Sequence, residues 1–84
     1  MFTRMPIRKN CDVSRVEELC GILIDGRAET LGDEIKAQVG SGYIEKETYK
    51  RLSKWVNPEQ PRPDEQPIAE AISCELFGVR ISRV

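Results

Sequence analysis

Three prolines, Pro58, Pro61 and Pro63, stand within six residues directly after Asn57. Proline lacks the amide hydrogen that a helix interior or a central strand requires, and it disfavours helix in the residue before it. No regular element can therefore run through residues 57–63. The chain is divided into a longer part before this loop and a shorter part after it.

On both sides of the loop the apolar residues recur at spacings of three and four, which is the period of a helix with one buried face. Residues 14–25 place Val16, Leu19, Cys20 and Leu23 on one side. Ser14 followed by Glu17 reads as a reciprocal capping box, and Gly26 as the residue that ends the helix. Residues 30–39 open on Thr30 with Asp33 three positions on, turn Leu31, Ile35 and Val39 inward, and stop at Gly40. Residues 44–56 align Ile44, Thr48, Leu52, Trp55 and Val56. Beyond the prolines, Asp64 is placed to cap a fourth helix over residues 64–77 that carries Ile68, Ala69, Ala71, Ile72, Leu76 and Phe77, with Gly78 as its stop. Residues 79–84 alternate apolar and polar side chains as a strand does, and residues 2–8 carry Phe2, Met5 and Ile7. A lone strand must pair, so the two ends are expected to pair with each other or across two copies. The expected fold is mainly α: four short helices in one domain over residues 1–84, with a short two-stranded pairing of the N- and C-terminal segments.

At 84 residues the chain has room for one hydrophobic core of modest size, so a homodimer or another partner is expected to add stability. Its hydrophobic fraction of 39% and charged fraction of 32% suit a folded globular chain. No apolar run nears the ~18 residues of a spanning helix, and the N-terminus lacks the pattern of a secretory signal, so a cytoplasmic protein is expected. Cys11, Cys20 and Cys74 are odd in number and show no C-x-x-C spacing, which reads as reduced thiols. With no histidine and no clustered cysteines, no metal or cofactor is expected. The serines have no basic partner to activate them, and the adjacent acids Glu17-Glu18 and Asp33-Glu34 diverge on a helix, so the chain is not expected to be an enzyme. Gly40-Ser41-Gly42 is too short for a phosphate loop and reads as a turn.

The net charge of −1 hides a blocky distribution. Residues 11–45 hold eight acids and three bases, whereas residues 46–56 carry Lys46, Glu47, Lys50, Arg51 and Lys54, a net of +3. Lys46, Lys50 and Lys54 recur every fourth residue and form a stripe opposite the apolar one, along which a phosphate backbone could lie. Arg4, Arg8, Lys9, Arg80 and Arg83 would form a second basic cluster if the two ends pair.

From a short helix ending at Gly40, through a basic helix ending Trp55-Val56-Asn57, to Ile68-Ala69-Glu70-Ala71-Ile72, residues 31–79 resemble the helix-turn-helix of Cro and lambda-repressor-like regulators of phage and bacteria. The pattern departs at Lys36, where that family has a small core residue, and at Lys46, where it has an apolar one. The resemblance implies binding of duplex DNA by a homodimer, with the second helix of the pair in the major groove. It implies Ser41, Tyr43, Lys46, Glu47 and Lys50 near base edges, and Arg51 and Lys54 on phosphates. A different class of function is written in the acids Glu17, Glu18, Asp25, Glu29, Asp33 and Glu34. Such a face could imitate nucleic acid towards a basic protein target, as small phage-encoded inhibitors of the anti-CRISPR kind do. A third class is a subunit whose exposed strand joins a neighbouring sheet.

Overall fold

A computed structural model describes residues 4–25, 31–60 and 63–81. The elements run β1 (Arg4–Pro6), α1 (Val13–Asp25), α2 (Leu31–Val39), β2 (Tyr43–Glu45), α3 (Lys46–Val56) and α4 (Gln66–Phe77). The fold is mainly α with one small antiparallel pairing. Among the described residues no helix is long and apolar enough to cross a membrane.

The expected apolar faces build the core. Val16, Leu19, Cys20 and Leu23 of α1 lie between Leu31, Ile35 and Val39 of α2 and Ala69, Ile72 and Leu76 of α4. Leu52 and Val56 bring α3 onto the same core, and Tyr49 touches Phe77 of α4 edge-to-face, with ring centroids 5.5 Å apart. The buried part of Ser73 is satisfied locally: its Oγ donates to the Val79 carbonyl and accepts from the Ile81 amide. Asn57 Nδ2 donates to the Ile81 carbonyl, so the segment after α4 is drawn across the end of α3 and Ile81 is buried.

The strands differ from expectation in their partner. Among the described residues β1 pairs with β2 and not with residues 79–81: Arg4 stands opposite Glu45, Met5 opposite Ile44 and Pro6 opposite Tyr43. The pairing continues as the Ile7 amide donates to the Gly42 carbonyl at 3.0 Å. Residues 79–81 form no strand, because their backbone is engaged by Ser73 and Asn57. The remainder of the expected terminal strands, Phe2, Thr3 and residues 82–84, lies outside the described residues, as do Gly26 and Thr30.

Three helix boundaries also move. α1 is capped by Asp12, whose Oδ1 accepts from the Arg15 amide at 3.1 Å, while Ser14 lies inside the helix. The Asp12 amide is itself held by Glu75 Oε1 at 2.7 Å, a partner far off in sequence. α3 starts at Lys46 and not at Ile44, because residues 43–45 are spent on the ribbon and Glu45 is extended. Ile44 is buried either way, since its position satisfies both the strand and the helix period. α4 starts at Gln66 with Pro67 in its first turn, and Glu65 precedes it without a side-chain cap. α2 ends at Val39 with Gly40 next to it, as expected, and Gly42 then turns the chain at φ 86°. Gly78 ends α4 as expected, at φ 77°, with its amide on the Cys74 carbonyl.

Two substitutions separate packing from backbone geometry. Leu52→Ala removes a fully buried side chain and should lower stability by about 2–5 kcal/mol in urea unfolding. A methyl on Gly78 would meet Arg8 Cδ at an ordinary 3.5 Å, so Gly78→Ala should cost only the left-handed backbone penalty of about 1–2 kcal/mol.

Candidate nucleic-acid interface

α3 is buried along two sides. Thr48, Leu52, Ser53 and Val56 face the core, and Tyr49, Arg51 and Trp55 are half-buried at its flanks. What remains exposed is a narrow line of Lys46, Glu47, Lys50 and Lys54. Lys50 Nζ lies 3.9 Å from Glu47 Oε1, with both side chains largely in water, where such a pair contributes little. Lys46 and Lys54 form no ion pair among the described residues.

A polar lattice fixes this helix against α2. Gln38 accepts the Glu45 amide on Oε1 at 2.9 Å and donates from Nε2 to Thr48 Oγ1 at 2.8 Å. Thr48 Oγ1 donates on to Glu34, and the same carboxylate pairs with Arg51. Arg51 is therefore turned towards α2 and away from the lysine line. Ser41 is occupied in the turn, where its Oγ donates to the Gln38 carbonyl at 2.7 Å. Tyr43 is about half exposed beside β1, with the Arg4 guanidinium 5.9 Å over its ring.

At the far end of α3, the Val56 carbonyl accepts from Gln66 Nε2 and from Arg80 Nη2. A guanidinium at a helix C-terminus satisfies an orphan carbonyl and opposes the negative end of the dipole. The described arginines of the expected second basic cluster each pair with a different acid. Arg4 pairs with Glu45, Arg8 holds the Glu75 carbonyl and carboxylate, and Arg80 pairs with Glu70. Lys9 is exposed, and Arg83 lies outside the described residues.

The acids are likewise distributed. Glu18 pairs with Arg15 and Glu34 with Arg51. Glu17 and Asp33 are exposed near Cys20 with Lys36 among them: burial first, then these two acids, push the Cys20 thiol up to about 12, and Lys36 opposes them. The Asp25 side chain and Glu29 lie outside the described residues. All three cysteines are free thiols, and no group of metal-ligating side chains converges among the described residues.

Of the residues that orient α3, Gln38 and Thr48 were not singled out as functional from the sequence, and Glu34 was read only as part of an acidic face. Thr48 sits within an apolar spacing, and the polar positions of α2 give no sign of which helix they will face. Comparison with protein-family models, curated proteins and solved structures gave no match.

The Cys20 thiol couples stability to pH. Its folded pKa of about 12 lies above its ordinary 9.0, so between these values the unfolded chain loses a proton that the folded chain keeps. The stabilisation is complete below about pH 9 and is lost as pH rises towards 12, at up to about 1.4 kcal/mol per unit. Cys20→Ala should flatten the fall of urea stability with pH in this window relative to the unaltered chain.

Proposed function

We propose that this chain is a non-catalytic DNA-binding protein that lays the exposed line of α3 against duplex DNA. The observation that carries this reading is the alignment of Lys46, Lys50 and Lys54 in water on a helix held in place from behind by Gln38, Thr48 and Glu34. The major groove is about 12 Å wide and admits a helix that presents one convex edge, and lysines on that edge reach phosphates on the groove walls. α3 follows α2 across a turn and β2 and is braced against it, and we read this order together with the likeness to helix-turn-helix regulators. Docking on a basic protein through the acids has less support, because Glu18 and Glu34 are already paired and Lys36 stands among Glu17 and Asp33.

The test is fluorescence anisotropy of a labelled duplex at low salt. Lys46→Ala, Lys50→Ala and Lys54→Ala combined should weaken binding by more than tenfold and leave helicity unchanged, since all three side chains are exposed. Replacing Glu17, Glu18 and Asp33 by alanine should preserve or raise affinity. Undiminished binding by the lysine variant would refute the assignment of α3 as the interface.

A further inference from the structure

We infer that α3 grips the phosphate backbone and does not read base edges, so that DNA is bound without regard to sequence. This rests on the duplex-binding reading and specifies what kind of contact it makes. Bases are discriminated chiefly by side chains that offer two hydrogen-bonding groups at once: arginine to guanine, asparagine or glutamine to adenine. Among the described residues of α3 and those packed against it, Arg51, Gln38, Asn57 and Gln66 are each committed to the protein. Arg51 is held by Glu34. Gln38 uses both ends of its amide on Thr48 and Glu45, Asn57 donates to the Ile81 carbonyl, and Gln66 donates to the Val56 carbonyl. Ser41, the small hydroxyl nearest the start of the helix, is engaged in its turn.

The exposed line offers three ammonium groups and one carboxylate. An ammonium on a flexible stem acts as a point charge, suited to phosphate and poor at fixing a base. Lys46 and Lys54 are eight residues apart, which spans about 12 Å of helix at 1.5 Å per residue. The chemistry of the face is thus that of a short rod following a run of phosphates. Its attraction comes from released counterions, and Glu47 beside Lys50 weakens it.

The experiment combines a salt titration with selection from a library of randomised duplexes. Three neutralised phosphates give a slope of log affinity against log salt of about −2.7, or about a 40-fold loss between 50 and 200 mM salt. Lys50→Ala should reduce that slope by about one, whereas Arg51→Ala, which removes a brace of α3, should leave the slope unchanged and shift affinity for all duplexes alike. Sequencing after selection should show no enriched motif, and unrelated duplexes should bind within about threefold of one another. Enrichment of a motif bound more than tenfold tighter than the pool, or an Arg51→Ala variant that loses affinity for some duplexes and not others, would overturn the inference while leaving duplex binding in place. Absence of binding to every duplex at low salt would overturn both.

Discussion

The placement of α3 depends on one amide side chain. Gln38 stands in the last turn of α2 and spends its carbonyl on the backbone of Glu45 and its amino group on Thr48. It thereby secures the end of the ribbon and the first turn of the next helix together. Neutral hydrogen bonds of this kind contribute only about 1 kcal/mol each, but losing one partner leaves the others half-buried and unsatisfied. Around it, the pairing of Glu34 with Arg51 and the burial of Ile44, Leu52 and Val56 leave α3 one way to lie. The direction in which its lysines project follows from that.

Much of this was legible in the sequence where it depended on periodicity. The inward faces of α1, α2 and α3 were written in spacings of three and four, and the proline run and Gly78 marked where helices stop. The rest depended on contacts between residues distant in sequence. β2 was hidden because Ile44 fits a strand and a helix equally, and only a neighbouring strand decides between them. Asp12 displaced Ser14 as the cap of α1 while its amide was being held by Glu75, sixty-three residues away. The lysine line was legible as spacing, but the inward commitment of Arg51 and the local capture of Ser41 were not. Which charges meet is a matter of tertiary geometry, and α2 supplies the partner that α3's own sequence does not name.

That distinction alters how the charge blocks are understood. The chain counts as acidic before residue 46 and basic in α3, yet several of those acids are taken up in pairs with arginines. Pairing consumes arginine in preference to lysine: of the described cations without an ion pair, all are lysines. Arginine's planar fork is spent on holding elements together, and the looser ammonium groups are left to the solvent. A surface composed that way favours attraction at a distance over recognition at contact.

The Arg8–Glu75 contact joins positions 67 residues apart and ties the segment after β1 to the end of α4. The same short segment also extends the ribbon through Ile7. Helical proteins of this size commonly assemble quickly because their contacts are local. Here the segment carrying Ile7 and Arg8 joins two elements that lie on opposite sides of the proline run, so its docking awaits both and brings a large loop-closure entropy with it. The molecule is built from local helices but closed by a non-local clasp.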